Sequence, residues 1–584
     1  MSYDILLIDI HKPETSFNFK YDGYIGINLL AAFLSENGFP AKTFTGKTHE
    51  IEDVLQKEIK NFDVKMIGLS CDYENQTTVS DISKYIKNKY GIPVIIGGPQ
   101  AIALDKDFLL KSKCDVIVRG EGEITLLELL NYFINGTGQL EKIKGITFLK
   151  NSACHRTNDR ELIKRLDLLP FKSAKYSIGG YGDKMMVSVL TGRGCPFSCS
   201  FCYEGSNSRQ VRYRSVENVM QEIDTILEER KLNDKSAYII FVDDTFTLDM
   251  KRVEQFCQEL KKRKEKYNLV WFCEAHISTL YKHPEIISKM VEAGLIRMQL
   301  GVESGSEKVL KYYNKGITTD QIIDVVKNCV KAGVAQLTAN FIIGGAGETN
   351  NTIKQSLALA KKLLSIANGI IDLRTVYFWP FPNTPITNNP DDYQLKIVDT
   401  KSNSSINDYP LVNTYHLTQE TICNKKKEFD DAIYNLMKKL KYSTDWNIIK
   451  KQYELAEKYH ITNLWYSVFI EESHWYKYFN GLIKGYYKHS SELNEKDLFN
   501  YKPIRTFNIQ EMQGKRIKIG GSILTEFETE IILLSAGNLT LTQITKKLFE
   551  KFPEKCYKYL ILKKIIKKTI DKFEKNFWLL FSKF

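Results

Sequence analysis

Three closely spaced cysteines, Cys195, Cys199 and Cys202, are the residues of this sequence best suited to metal chemistry. They form a Cys-x3-Cys-x2-Cys loop directly after a predicted strand, with Gly192 and Gly194 before the first thiol. Each thiolate can bind one iron of a cubane [4Fe-4S] cluster, which leaves the fourth iron open to chelate a small molecule. A zinc loop or a set of buried thiols is the alternative, but zinc needs a fourth Cys or His at suitable spacing, and none lies nearby.

The loop resembles the Cys-x3-Cys-x-aromatic-Cys signature of the radical S-adenosylmethionine (SAM) superfamily, with Phe201 at the aromatic position. Similar segments continue through the following strands: RYR at 212–214, FVDDTF at 241–246, GVESGS at 301–306 and GGAGET at 344–349. The resemblance implies that the three cysteines bind a [4Fe-4S] cluster and that SAM is cleaved to a 5′-deoxyadenosyl radical. The SAM-binding residues that it implies are Phe201, Asp244, Glu303, Ser304, Gly344 and Gly345.

The chemistry of four of these residues agrees with a SAM site. Gly344 and Gly345 at a strand end let backbone groups approach a ligand closely. The carboxylates of Asp244 and Glu303, at a barrel mouth, suit the amino group and ribose hydroxyls of SAM. Taken alone, each carboxylate is more often a solvated or salt-bridged side chain.

Six strand-like segments alternate with helical patterns in residues 186–385 and predict a parallel, partial (βα)6 barrel of the TIM type. The segments are 187–191, 237–244, 269–275, 296–304, 336–345 and 370–380. Ligands are expected at the C-terminal ends of such strands. Two positions depart from the superfamily pattern. Ala346 replaces the usual proline of the G-x-P-G-E-T loop, and His276 stands where relatives often carry arginine.

The first part of the chain also alternates short apolar runs with helical patterns. The runs are YDILLID at 3–9, MIGLS at 66–70, PVIIGG at 93–98 and CDVIVRGEGE at 114–123, and a helix is predicted at 25–38. This alternation predicts a doubly wound, Rossmann-like parallel sheet in residues 1–140, with ligands at the C-terminal strand ends. A generic domain whose glycines only make tight turns would show the same pattern.

Residues 3–135 resemble the cobalamin-binding domain that precedes the barrel in cobalamin-dependent radical SAM enzymes. The cobalamin-binding residues that the resemblance implies are Ser70, Gly97, Gly98, Pro99, Gly120, Glu121 and Gly122. The segment from Asp9 begins like the D-x-H-x-x-G motif that supplies a histidine to cobalt, but Glu14 replaces the glycine. We therefore interpret His11 as an ordinary loop residue, with water or nothing as the lower ligand of cobalt.

The remaining segments complete an α/β chain of several domains, as expected for 584 residues. Residues 141–185 are predicted to be an irregular connection, and residues 386–505 a linker, densest in polar residues at 386–412, followed by helices. Residues 506–584 show a winged-helix-like pattern: a short strand pair, a helix capped by Thr525, and a second helix capped by Thr540.

The C-terminal pattern is similar to domains that bring leader peptides to enzymes of ribosomal peptide modification. In those domains the leader adds a strand to the sheet edge. A structural cap and DNA binding are the alternatives. No helix rich in Arg, Asn or Gln suited to reading bases is evident, so nucleic acid is not the expected partner.

Composition and charge agree with a soluble, cytoplasmic protein. The chain is 43% hydrophobic and 26% charged, and its formal net charge of +12 includes many lysines spread over C-terminal helical segments, which favours a solvated helix face. No long apolar stretch predicts a membrane span. The odd number of cysteines, 11, argues against a disulfide framework.

The resemblance implies a cobalamin-dependent radical SAM methyltransferase that acts on an unactivated carbon of a peptide during peptide natural-product maturation. One SAM would methylate cobalt, a second would yield the radical, and an external donor such as flavodoxin or ferredoxin would supply electrons. Cyclisation, crosslinking or epimerisation without methyl transfer is a second possibility, and Cys273 is the candidate hydrogen-atom donor for epimerisation. A non-catalytic iron-sulfur and corrinoid sensor is the third.

Overall fold

A computed structural model describes residues 3–10, 25–178, 185–203, 209–231, 236–398, 408–519, 521–553 and 559–583. The chain divides into two compact units, residues 1–436 and 437–584, and each is described by itself. His11 and Glu14, which belong to the segment compared with the cobalt-binding histidine motif, lie outside the described residues. Within those residues, no helix is long and apolar enough to cross a membrane.

Seven strands form the sheet of the N-terminal domain, in the order β2-β1-β3-β4-β5-β6-β7. They are β1 Ile5–Ile10, β2 Ala41–Gly46, β3 Met66–Ser70, β4 Val94–Gly97, β5 Val116–Val118, β6 Ile146–Lys150 and β7 Ala153–Arg156. Its helices are Ile25–Glu36, Thr48–Phe62, Gln76–Tyr90, Pro99–Ala103, Asp105–Ser112 and Gly122–Asn135. Strands β1 to β5 pair in parallel, and buried clusters cover both faces, so the doubly wound sheet is confirmed.

Part of the predicted connection 141–185 belongs to this sheet. Strand β6 pairs antiparallel with β5, and β7 pairs antiparallel with β6. The expectation of irregular structure is therefore wrong for this hairpin, because its edge strand is half-exposed and polar and lacks an apolar run. Strand β2 and the helix after it were not predicted either, since AKTFTG alternates buried and half-buried residues.

The barrel domain is a six-stranded parallel sheet in the order β15-β14-β13-β12-β11-β8, and the short ribbon of β9 and β10 lies between β8 and β11 along the chain. Its strands are β8 Met186–Val189, β9 Gly192–Arg193, β10 Arg212–Tyr213, β11 Ser236–Phe241, β12 Asn268–Ala275, β13 Leu295–Glu303, β14 Gln336–Ile343 and β15 Ile371–Tyr377. The helices are Val216–Arg230, Met250–Lys266, Ile277–Lys282, Glu285–Glu292, Glu307–Tyr312, Thr319–Ala332 and Asn350–Ile366. Because β8 and β15 are the two ends of the order, the six-stranded partial barrel is confirmed.

The segment after β15 folds onto the barrel. It contains the helix Pro385–Asn388, β16 Leu395–Ile397 and β17 Val412–Thr414, which pair antiparallel. Ile386, Leu395 and Val412 are buried with Phe378 of the barrel. The prediction of a linker at 386–412 is therefore wrong for the residues that the structure describes there. The many turn-forming residues of this segment gave no sign of its three buried aliphatic side chains.

The second unit begins within the helix Gln419–Leu440, continues through helices and ends in a small α/β domain. The helices are Trp446–Tyr459, Leu464–Ile470, Ser473–Ile483, Glu495–Leu498, Glu526–Leu534, Leu541–Lys551 and Tyr559–Lys575. The strands are β18 Lys502–Arg505, β19 Glu511–Gln513, β20 Arg516–Ile519, β21 Ser522–Ile523 and β22 Leu579–Ser582. Thr525 and Thr540 accept from backbone N–H groups in capping boxes, which confirms both predicted helix starts.

Short 3-10 turns connect these elements. They lie at Leu140–Lys142, Leu166–Leu168, Ala174–Tyr176, Phe246–Leu248, Pro390–Tyr393, Lys441–Ser443 and Ser490–Glu492. The last domain has a three-stranded antiparallel sheet, β19-β20-β21, followed by three helices. The strands precede the helices as predicted, with three strands in place of the predicted pair, and the winged-helix-like assignment stays a prediction.

Candidate functional site

The cysteine loop is held at its base by a buried carboxylate. Asp243, at the end of β11, accepts hydrogen bonds from the backbone N–H of Thr191 at 2.6 Å and from its hydroxyl. Arg252 donates to the Thr191 carbonyl at 2.7 Å. Burial raises the pKa of Asp243 to about 6. Asp243 therefore fixes the turn that leads into the cysteines, and its neighbour Asp244 is left to face the barrel mouth.

The loop is also fixed from its outer side. Ser200 N–H donates to the Tyr313 carbonyl at 3.0 Å, and the Ser200 hydroxyl donates to the Tyr312 carbonyl at 2.7 Å. Ile386 N–H in turn donates to the Ser200 carbonyl at 3.2 Å. The segment after β15 thus contacts the cysteine loop directly, a role that its sequence did not indicate.

The three thiols share this loop in different environments. Cys199 is buried, whereas Cys195 and Cys202 are half-buried. Burial raises the pKa of Cys199, and the nearby ammonium of Lys315 acts against that rise. In the described part of the chain, no three Cys, His, Asp or Glu side chains converge tightly enough for a single metal ion. Thiolates around a cubane cluster each bind a different iron, so such convergence is not required.

Carboxylates from three neighbouring strand ends face the barrel mouth. The Asp244 residue is exposed at the mouth, but the protein groups around its carboxylate displace part of the surrounding water and raise its pKa. A hydrogen bond from Gly194 N–H opposes that rise. Burial, and next the charge of Asp244, raise the pKa of Glu274 to about 7. Glu303 accepts from Lys315 Nζ at 2.8 Å and has a φ of 62°, an uncommon conformation for a non-glycine residue. Burial disfavours the ammonium of Lys315, but Glu303, Cys199 and Cys202 together outweigh burial and raise the pKa of that lysine.

His276 presents an unpaired ring nitrogen beside the cysteine loop. Its ring stacks on Phe197, with centroids 3.8 Å apart. Its Nδ1 accepts from the Ser278 backbone N–H, so Nε2 carries the proton, and Nε2 is buried with no hydrogen-bond partner among the described residues. Burial lowers the pKa of His276 to about 3, so the ring is neutral.

The two glycines predicted for SAM are constrained by the protein itself. A Cβ on Gly344 would lie 2.7 Å from Ile422, and one on Gly345 would lie 1.7 Å from the Tyr313 hydroxyl. Both backbone N–H groups donate to the buried carboxylate of Glu348, at 2.5 and 3.2 Å. In the structure, these positions require glycine because neighbouring side chains pack closely on them, and the Glu348 carboxylate caps their turn. Close approach to a ligand, the predicted reason, is not needed to explain them.

Two further predicted side chains point away from the barrel mouth. The Ser304 hydroxyl contacts the Ser356 hydroxyl at 3.1 Å and accepts from Ser306 N–H. Cys273 is fully buried, and the thiols of Cys257 and Cys329 on the outer helices are among the groups that raise its pKa, after burial itself. It follows Phe272 and precedes Glu274, whose side chains take the opposite face. The prediction of Cys273 as a hydrogen-atom donor is therefore wrong.

The predicted cobalamin residues lie at neighbouring ends of parallel strands. Ser70 pairs with Gly97 in register, so β3 and β4 end together. Gly98 has a φ of 102°, and a Cβ there would lie 2.4 Å from the Cys71 carbonyl oxygen. Pro99 begins the next helix. Gly120 has a φ of 78° with open space around it, as a ligand-lining position requires.

Glu121, also predicted for cobalamin, binds two arginines of the barrel domain instead. Arg193 Nη1 donates to Glu121 Oε1 at 2.9 Å, and Arg212 Nη1 donates to the same oxygen at 2.8 Å. The adjacent Gly122 packs on the side chain of Leu30. The carboxylate of Glu121 is therefore occupied within the protein.

An aromatic contact between the two domains was missed in the sequence. Tyr73, after β3, lies with its ring centroid 5.1 Å from that of Trp379 and 5.0 Å from that of Phe381. Both partners follow β15 in the run FWPFP, and such dense aromatics after a strand were the available signal. The contact places an apolar wall next to the predicted cobalamin end of β3.

The site fits the cofactors that the sequence predicted. The thiols of the loop lie near one ammonium group, and the barrel mouth carries carboxylates suited to a cationic ligand. The buried Nε2–H of His276 has no acceptor among the residues that the structure describes. Phe201 packs on Tyr313 next to Lys315. The arrangement can hold an iron-sulfur cluster with a cationic ligand beside it.

Comparisons with known proteins identify both domains. A model of the Radical SAM superfamily matches residues 189–360, and a model of the B12 binding domain matches residues 18–130. An uncharacterized methyltransferase of Pyrococcus horikoshii is 30% identical over 349 residues, which cover 58% of this chain and 73% of that protein.

Two solved structures share the fold. The radical SAM methyltransferase TsrM from Kitasatospora setae, with cobalamin and a [4Fe-4S] cluster bound, has a TM-score of 0.56 at 17% identity, covering 68% of this chain and 77% of that one. The cobalamin-dependent SAM radical enzyme OxsB, with aqua-cobalamin and SAM bound, has a TM-score of 0.56 at 16% identity, covering 98% of this chain and 80% of that one.

Proposed function

Because the chain belongs to the cobalamin-dependent radical SAM enzymes, with a [4Fe-4S] cluster, SAM and cobalamin as cofactors, we propose that it methylates an unactivated carbon of a peptide. The observation that carries methyl transfer is that the Pyrococcus relative and TsrM are both named methyltransferases. When bound, the cluster and SAM supply an organic radical, and cobalamin supplies the methyl group.

The protein positions these groups through a few side chains. Cys195, Cys199 and Cys202 hold the cluster, and the carboxylates of Asp244 and Glu274 attract the cationic part of SAM. The aromatic wall around Trp379 and its neighbours keeps water from the space between the two domains. Exclusion of water matters because a closed, dry site keeps reactive intermediates from side reactions.

The substrate class is proposed from the last domain of the second unit. A cleft of about 220 Å³ opens between the start of the helix at Glu526 and the last helix, with Phe527, Leu562 and Ile565 among its lining residues. Beside it, β21 is a free edge of its sheet, and Ile523 is 50% exposed. Lysines on the last helix add positive charge. These features support a leader peptide with apolar and acidic residues that adds a strand at β21.

The methyltransferase proposal is tested on anaerobically reconstituted enzyme supplied with cobalamin, SAM and a strong reductant. We expect bound corrinoid, 5′-deoxyadenosine and S-adenosylhomocysteine together, and Cys199→Ala should abolish 5′-deoxyadenosine while corrinoid still binds. If corrinoid is bound and 5′-deoxyadenosine forms without S-adenosylhomocysteine, methyl transfer is contradicted, and cyclisation, crosslinking or epimerisation becomes the proposed reaction. An intact cluster without any SAM cleavage would favour the sensor.

The peptide proposal is tested with peptides synthesised from short reading frames next to the gene. Leu524 N–H donates to the Ile517 carbonyl, so the alternation of an antiparallel ladder turns the N–H of Ile523 outward. Ile523→Pro removes that donor from the β21 edge, and Met512→Pro is the matched change on the opposite edge, β19. We expect fluorescence anisotropy to show weaker binding for Ile523→Pro alone. Equal binding by both variants would contradict strand addition at β21.

A further inference from the structure

Two arginines stand side by side at the base of the cluster loop. Arg193 in β9 and Arg212 in β10 are directly opposite each other in the antiparallel ribbon. One guanidinium group therefore lies where the cluster loop begins, and the other lies where it ends. Only one residue separates Arg193 from Cys195. Adjacent like charges repel, so this arrangement needs carboxylates to be stable.

Those carboxylates come from the cobalamin domain. Glu121 accepts from Arg193 at 2.9 Å and from Arg212 at 2.8 and 3.0 Å, and Glu123 accepts from Arg193 Nη2 at 2.5 Å. Ile163 adds its N–H to Glu121 and its carbonyl to Arg212. Two acids and two bases therefore form one neutral quartet across the two domains.

The quartet is shielded from solvent. The side chains of Glu121, Glu123, Arg193 and Arg212 are 13%, 4%, 17% and 6% exposed. Burial disfavours ionised Glu121, but Arg193 and the other donors outweigh it and hold the pKa of Glu121 below its usual range. Shielded pairs of this kind lose far more when one partner is removed than exposed pairs do.

We propose that Glu121 and Glu123 are positioning residues that couple the cobalamin site to the cluster loop. Gly120 and Gly122, which flank Glu121, lie on the loop predicted to border cobalamin. A ligand that orders this loop also orders the carboxylates that hold both ends of the cluster loop. The inference rests on the proposed cofactors and goes beyond them, because it predicts that occupancy of one cofactor site protects the other.

The test measures iron release from the reconstituted full-length enzyme to a chelator, with and without hydroxocobalamin. In the unaltered enzyme, cobalamin should slow iron release by about fivefold or more, the usual lower range of coupling between sites. In Glu121→Gln and Glu123→Gln this protection ratio should fall toward one. Glu128→Gln is the matched control, since Glu128 lies on the same helix and pairs with Arg160 inside the cobalamin domain.

Each outcome separates coupling from simple stability. A purely structural ion pair would lower the melting temperature of Glu121→Gln and leave its protection ratio unchanged, and that result would overturn the proposal. No protection in the unaltered enzyme, with both cofactors bound, would also overturn it. Loss of cobalamin binding in Glu121→Gln would make Glu121 a cobalamin ligand instead. Failure of the unaltered enzyme to load either cofactor would refute the proposed function itself.

Discussion

Replacement of Glu274 by glutamine should stabilise the apoprotein at alkaline pH and leave it unchanged at acid pH. Glu274 lies within the apolar strand β12, where burial and then the charge of Asp244 raise its pKa from 4.5 to about 7. The folded state therefore binds this proton more tightly than the unfolded state does. The contribution of Glu274 to stability is greatest below pH 4.5 and declines as pH rises through about 7, because ionisation must take place at a half-buried carboxyl beside Asp244.

The size of the effect follows from the pKa difference. At about 1.4 kcal/mol per pKa unit, the penalty in the native protein is about 3 kcal/mol near pH 8 and about 1 kcal/mol near pH 5.5. Glutamine has nearly the same shape and no charge, so Glu274→Gln avoids this penalty. Asp243 and Glu348 also have raised pKa values. Both residues are present in the unaltered protein and in Glu274→Gln, so their contributions cancel in the stability difference between the two proteins.

Scanning calorimetry of the two apoproteins between about pH 5 and pH 8.5 measures this difference, because calorimetry separates the transitions of two units. The relevant transition is the one that cluster loading shifts. The melting temperature of Glu274→Gln should exceed that of the unaltered protein at the alkaline end, and the two should converge as pH falls. A constant difference across the range, or a less stable variant at pH 8, would refute a raised pKa for Glu274 in the folded apoprotein.

Three other predictions test the site, each through a substitution of one of its residues. Lys315→Met leaves the Glu303 carboxylate buried and unpaired, so we expect a loss of about 3–5 kcal/mol in denaturant unfolding of the apoprotein, largely recovered in Lys315→Met/Glu303→Gln; no recovery would contradict the pairing. Gly98→Ala should abolish corrinoid retention after gel filtration, because its Cβ would clash with backbone. Gly91→Ala, at the end of the helix before β4 and with open space for a Cβ, should keep corrinoid and lose only about 1 kcal/mol of stability. His276→Phe keeps an aromatic ring for the stack on the cluster loop but removes the unpaired Nε2–H, and SAM binding measured by equilibrium dialysis should weaken about tenfold; unchanged affinity would exclude a hydrogen bond to SAM.

The barrel and the cluster loop could be predicted from sequence because their signals are local. Strand β11, SAYIIF, is buried along its whole length, and strands covered on both faces appear as continuous apolar runs. The cysteine spacing likewise lies within eight residues. Glu274 could have been found the same way, as a single acid inside the apolar run LVWFCEA.

Features that depend on distant partners could not be predicted. Glu121 lies between two glycines, which is compatible with a ligand contact, and its partner Arg193 is 72 residues away. The same holds for Lys315, which follows a short helix in an ordinary turn sequence and is buried only because Glu303 faces it. A carboxylate or ammonium in a loop carries no local sign of the charge that will neutralise it.

The charges at the barrel mouth explain why one lysine accompanies several acids. Asp244, Glu274 and Glu303 exceed Lys315 by two formal negative charges when all are ionised. Burial first, and then the charge of Asp244, raise the pKa of Glu274 in the apoprotein. SAM carries an ammonium and a sulfonium against one carboxylate, so its net positive charge relieves the repulsion. S-adenosylhomocysteine lacks the sulfonium charge and would relieve less of it. Lys315 pairs with Glu303 and also faces Cys199 and Cys202, so it offsets these charges while Asp244 and Glu274 stay available to the ligand. The same charge distribution therefore favours SAM over its demethylated product and keeps the cluster loop compatible with a buried site.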